Sequence, residues 1–121
     1  MANTFKVVTF AAEPASAGTP YKMYTVAGST TTVVLGLILT NIHSSAVTVE
    51  VELVSDTGSR GGANNVTNGT AFLVKDVTIP AGSSLELLSG GKVVLETGDK
   101  IQIDCSVADK LSGTLSIMEI S

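Results

Sequence analysis

From residue 76 to the end, the chain alternates apolar and polar positions and is interrupted every few residues by Pro, Gly, Ser or Asp. In residues 100–107 (KIQIDCSV), Ile101, Ile103, Cys105 and Val107 alternate with Lys100, Gln102, Asp104 and Ser106. A period of two puts one row of side chains in a core and the other in water, which is the pattern of a half-buried strand. Residues 47–54 repeat it, with Val47, Val49, Val51 and Leu53 pointing one way and Thr48, Glu50 and Glu52 the other. Residues 31–41 (TTVVLGLILTN) are apolar almost without a break, as expected of a strand buried on both faces. His43-Ser44-Ser45-Ala46 turns the chain between these two segments, so they are expected to form a hairpin.

Further strands are predicted over about 4–11, 21–26, 71–79, 84–88, 92–96, 100–107 and 113–120, with Pro80-Ala81-Gly82, Ser89-Gly90-Gly91 and Thr97-Gly98-Asp99 as turns between the later ones. The stretch 13–20 (EPASAGTP) carries two prolines among small residues, which disfavours both helix and ladder pairing. It is read as a flexible joint. Residues 1–20 then form an N-terminal strand or arm, which pairs at an edge or on a neighbouring subunit, and residues 21–121 form a single β-sandwich domain. Eight or nine short strands with no helical pattern predict an all-β chain. The expected form is a two-sheet antiparallel β-sandwich of jelly-roll or immunoglobulin-like type. Between the strands at 47–54 and 71–79 runs SDTGSRGGANNVTNGT (55–70), with four glycines and three asparagines. A loop of this length in a compact domain is usually functional or mobile.

The 121 residues suit one domain, which buries roughly 65% of its unfolded surface without needing metal or disulfide staples. Hydrophobic residues are 44% of the chain, aromatic ones only 4%, and Trp is absent, so the apolar mass is the Val, Ile and Leu that favour strands. A mean hydropathy of +0.40 is high beside 15% charged residues, and some outer surface is therefore expected to be buried against copies of the chain or a partner. The net charge is -4 and the basic residues Lys6, Lys22, Arg60, Lys75, Lys92, Lys100 and Lys110 are scattered singly. Phosphate binding needs clustered cations, so no nucleic-acid partner is expected, and the same balance argues against an anionic membrane. The longest apolar run, 33–39, is far short of the ~20 residues that span a bilayer. The opening MANTFKVVTF lacks the charged and apolar regions of a secretory signal, and the single cysteine excludes an intramolecular disulfide and fits a reducing cytoplasm.

Candidate chemistry is sparse. Asp56-Thr57-Gly58 followed by Ser matches the signature of aspartic proteases, whose dimers share a pair of carboxylates. That family also needs a later apolar-apolar-Gly segment backed by a helix. Only Leu87-Leu88-Ser89-Gly90 follows here, with no helix behind it, so a turn is the expected role. Glu50 and Glu52 lie about 7 Å apart on one side of a strand, a spacing that glycosidases use, but they are read as a solvated face. His43 and Cys105 together cannot supply the roughly four ligands of a zinc site. His43 is therefore expected in a surface turn and Cys105 as a buried apolar thiol. Asp56, Asn64, Asn65 and Asn68 offer oxygen ligands for calcium without the spacing of a regular calcium loop. Asn65-Val66-Thr67 and Asn68-Gly69-Thr70 match the glycosylation pattern but read as loop residues. No catalytic residue, metal site or cofactor is assigned, and no enzymatic activity is expected.

The segments LTNIHSSAVTVEVELV (39–54), DVTIPAGSSLELLSGGKVVLETGDKIQI (76–103) and the closing LSGTLSIMEIS resemble a family of small structural proteins from the virions of tailed bacteriophages. The blocks that carry the resemblance are Leu39-Thr40-Asn41, Ile79-Pro80-Ala81-Gly82-Ser83 and Leu95-Glu96-Thr97-Gly98-Asp99. What the resemblance implies is a β-sandwich repeated many times on a particle that is assembled in the host cytoplasm. Its expected role is capsid decoration or cementing, with a neck, tail or fibre accessory role as the nearest alternative. The implied partners are further copies of the chain, in a small cyclic oligomer such as a trimer, and the major capsid protein or other virion proteins. A host-surface glycan-binding module is an alternative of another class, for which Phe5, Phe10, Tyr21, Tyr24 and Phe72 are the available stacking rings. Residues before Pro20 and the 55–70 loop match the family less well and are expected to carry specificity.

Overall fold

A computed structural model describes residues 2–55, 69–88 and 91–121. The protease-like Asp56-Thr57-Gly58 and the calcium candidates Asn64, Asn65 and Asn68 lie outside the described residues, as do Ser89 and Gly90. Among the described residues nine strands appear in chain order: β1 (Asn3–Glu13), β2 (Tyr21–Thr25), β3 (Thr31–Asn41), β4 (Val47–Val54), β5 (Thr70–Ile79), β6 (Ser84–Leu87), β7 (Val93–Leu95), β8 (Lys100–Cys105) and β9 (Leu111–Ile120). Among the described residues there is no helix, so none is long and apolar enough to cross a membrane.

The strands form two antiparallel sheets, one ordered β1-β9-β3-β6 and the other β2-β8-β4-β5. β7 pairs with β3 on the edge that β6 also uses: β6 lies against Leu37–Thr40 and β7 against Thr32–Val34. Most successive strands change sheet, with β4–β5 and β6–β7 the exceptions, and each sheet collects strands distant in sequence. That is the order of a jelly roll, and it decides between the two sandwich types the pattern allows. The core between the sheets is built from the inward positions of every long strand. Val34, Leu37 and Leu39 of β3, Leu115 and Ile117 of β9, Val49 and Val51 of β4, and Ile101, Ile103 and Cys105 of β8 are all at most 3% exposed. Each fully buried Leu or Ile contributes about 1.5–3 kcal/mol relative to leaving it in water.

The expected hairpin between 31–41 and 47–54 does not form. β3 pairs with β9, β6 and β7, whereas β4 pairs with β5 and β8 in the other sheet. The connection is an arch between layers, and Asn41 builds it. Its amide Nδ2 donates to Ser45 O and to Ile79 O, each at 2.9 Å, and its Oδ1 accepts from His43 N at 2.7 Å. Asn41 is wholly buried and every polar end of its side chain is used.

β1 forms one edge of its sheet. β1 runs antiparallel to β9 from Asn3↔Ile120 to Phe10↔Gly113, and the ladder continues outward through the reciprocal Ala2–Ser121 backbone bonds. Phe10 is buried against Gly113, where an added Cβ would sit 2.6 Å from the ring's Cζ. The same ring meets Tyr21 of β2 edge-on at 5.3 Å, so β1 is fastened to both sheets.

Candidate interaction surface

The two sheets share one core but present different outer faces. On the β2-β8-β4-β5 sheet the outward positions are mostly polar and several are paired within the chain, with Phe72 an exposed apolar exception. Lys75 Nζ lies 3.2 Å from Glu50 Oε1 and 4.6 Å from the centroid of the Phe72 ring, and Gln102 Nε2 donates to Glu52 Oε2 at 3.1 Å. The Glu50 contact raises the Lys75 pKa.

On the β1-β9-β3-β7 sheet, register places Phe5 beside Met118, Met118 beside Val33, and Val33 beside Val94. Four strands thus contribute one unbroken apolar row. Inward neighbours such as Val8, Leu115 and Leu37 occupy one another's register, so this row faces outward. Val7 and Ile120 flank it, and Ile38 lies two rows on. Phe5 is 72% exposed, Val7 63% and Val94 60%. Where β3 bulges between Val34 and Gly36, the face sinks into a recess of about 310 Å³ lined by Leu35, Gly36, Ile38, Glu86, Thr114 and Ser116. The outward residues of β1, β9 and β3 between Asn3 and Thr9, Ser112 and Ile120, and Thr31 and Thr40 include no charged side chain. Such a face can bury apolar area, with the Glu86 carboxylate of β6 standing at its far side, beside Ile38.

At one end of the sandwich a polar clasp joins the layers. Tyr24 of β2 donates from its hydroxyl to Glu119 Oε2 at 2.6 Å and shares a 2.8 Å bond with Thr32, while Lys6 Nζ lies 2.7 Å from Glu119 Oε1. Burial, reinforced by the Glu119 acceptor, pushes the Tyr24 pKa up to about 12. Hydrogen bonds from Lys6 and Tyr24 hold Glu119 below the usual carboxylate range.

Among the described residues, the candidates read from the sequence do not converge. Glu50 and Glu52 share the outer side of β4, and each has its own polar partner. Glu50 lies opposite Asp104 and, with Asp76, they line a shallow recess near Gly18 and Ser106. Asp104 is committed to structure, with Oδ1 accepting from Gly18 N at 3.1 Å and from Cys105 N at 2.8 Å. His43 sits in the Asn41 arch, and Cys105 is buried in the core, which raises its thiol pKa. Among the described residues, no three His, Cys, Asp or Glu side chains are grouped to hold a metal ion.

The blocks that carry the virion resemblance are turn latches. Asn41 N donates to Ser83 O at 2.9 Å and Ser83 N to Pro80 O at 3.0 Å, with Gly82 at φ 71°, so two of the blocks close on each other. In the third, Asp99 N donates to Glu96 O, Glu96 N donates to Asp99 Oδ2, and Gly98 sits at φ 88°. Only glycine takes that backbone region without a steric cost. The apolar row, by contrast, was not singled out from sequence. Its signal was the nearly continuous apolar stretch of 31–41, which marked a strand wanting cover on both faces. No protein-family model matches the chain, and no curated protein matches it.

Proposed function

We propose that this chain is a structural protein of a tailed-bacteriophage virion that decorates or cements the capsid, acting by contact rather than catalysis. The observation that carries the reading is the apolar outer face of the β1-β9-β3-β7 sheet, taken with the sequence blocks that resemble the virion family. A protein with exposed apolar side chains in register across one outer face gains by having that face covered. Particle subunits meet that need, because each buries surface on its neighbours. The jelly-roll order supports the reading by analogy, since the fold recurs in capsid proteins, but the same fold serves lectins and enzymes. Further copies of the chain and the major capsid protein are the partners it calls for.

Cryo-electron microscopy of purified particles tests this. The reading expects density for the sandwich at many symmetry-related positions on the head. Absence of the chain from particles, or its restriction to a tail tip, overturns the decoration role.

A further inference from the structure

The apolar row raises a question of its own: what covers it. β3 reads as a strand buried on both sides, yet within one chain only Thr32, Val34, Leu37, Leu39 and Asn41 are buried, and Ile38 is 42% exposed. We infer that the outer face of the β1-β9-β3-β7 sheet packs on the same face of a second copy of this chain, across a two-fold axis. This does not depend on the virion reading.

Charge selects the partner. A two-fold contact sets each residue of the patch against the same patch, so any charge on it meets its own kind. The chain carries a net charge of -4, yet the outward positions of β1, β9 and β3 carry none, and Glu86 of β6 stands beside Ile38, two rows from the Phe5–Val94 row and at the rim of a contact centred on it. The alternative of setting this face on the outer face of the other sheet buries Glu50, Glu52 and Lys75 beneath apolar side chains, which strips charged groups of water. Like-on-like contact buries no charge from these three strands.

Shape and area agree. Two sheets of the same twist pack face to face about 10 Å apart with their strands inclined by about 30°, so the natural complement of a twisted apolar face is another of the same hand. At about 3.4 Å per residue and about 4.8 Å between strands, the 11, 10 and 11 residues of β1, β9 and β3 with the three of β7 present about 570 Å². That is about two-thirds of the roughly 800 Å² per partner of a specific interface, before counting the relief of the side chains.

Analytical ultracentrifugation of the full chain over a wide dilution series tests the inference, comparing wild type with Phe5→Lys, Val94→Asp and Glu52→Lys. The expected result is a reversible wild-type dimer. Phe5→Lys and Val94→Asp each weaken it by at least about a hundredfold, because a two-fold contact buries every introduced charge twice. Glu52→Lys leaves it intact. Phe5 and Val94 are exposed in the single chain, so retained β circular dichroism and a cooperative melt show that those variants still fold. A wild type that stays monomeric at every concentration points to a different partner and overturns the inference. So does a three-fold ring, which needs a head-to-tail contact, or a dimer indifferent to both substitutions.

Discussion

The two outer faces of this sandwich cover the same core, and they have been used in opposite ways. On the β2-β8-β4-β5 side the outward residues satisfy one another: Glu50 with Lys75, Glu52 with Gln102, and Lys75 over the ring of Phe72. That face is finished within a single chain. On the β1-β9-β3-β7 side, Phe5, Met118, Val33 and Val94 line up across the register, and Phe5 and Val94 stay exposed among the described residues. Interfaces are marked by charge depletion at their centre more than by bulk hydrophobicity, and that depletion separates the two sides.

The comparison predicts that the inner sides of the two sheets are equivalent in energy. Leu115→Ala in β9 and Ile103→Ala in β8 remove residues that are at most 1% exposed. Each is expected to lower unfolding free energy by about 2–5 kcal/mol in urea titrations. A loss confined to one of them would mean that the core is not shared. Asn41→Ala comes next, at about 1–3 kcal/mol, because it strands Ile79 O, Ser45 O and His43 N around a buried site. Asn41→Asp should cost nearly as much, since the donors to both carbonyls vanish, and a neutral result there would remove the latch from the account.

The outer faces should then part company. At concentrations low enough to keep the chain monomeric, Phe5→Ser on one side and Glu52→Gln on the other are each expected to change stability by no more than about 0.5 kcal/mol. At high concentration only Phe5→Ser changes behaviour, lowering the apparent Tm because it removes a stabilising association. Equal responses on both sides would erase the contrast.

The smallest effect is electrostatic and lies in the clasp at the sandwich end. Glu119 is held below the ordinary carboxylate range, so its contribution is complete at neutral pH and is lost as the pH falls below the usual Glu value of 4.5. Tyr24 works in the other direction. Its stabilising contribution is full below pH 10.0 and disappears as the pH rises toward about 12. Glu119→Gln should flatten the acid limb of a stability–pH curve by about 1 kcal/mol or less, because Lys6 is half exposed and the pair is screened. An unchanged acid limb would show that other carboxylates govern it.

Much of the fold was legible because strand existence follows from local period and turn chemistry. β3 and β4 begin and end where the pattern places them, and Ile101, Ile103 and Cys105 face inward as their alternation requires. Which strands pair was not legible at the 42–46 connection. The Ser-rich turn after Asn41 suits a hairpin and an arch equally, and the choice is made by Ile79, 38 residues away, which takes the Asn41 amide. The interaction surface was half legible. The apolar run of β3 announced a second face to be covered, but Phe5 and Val94 joined it only through pairings with β9 and β3 that no local signal encodes. The sequence blocks that resemble virion proteins proved to be turns and latches, which explains why they suggest a scaffold and say little about contacts.

The central claim is that one outer face is made to be covered and the other is not, and methyl NMR with a soluble paramagnetic agent tests it most directly. The relaxation enhancement of the methyl groups of Val7, Val33, Ile38, Val94 and Met118 should fall as the protein is concentrated, while that of Val54 on the opposite side stays constant. Enhancement that is independent of concentration at all of these methyls, or that falls at Val54 instead, would contradict the account.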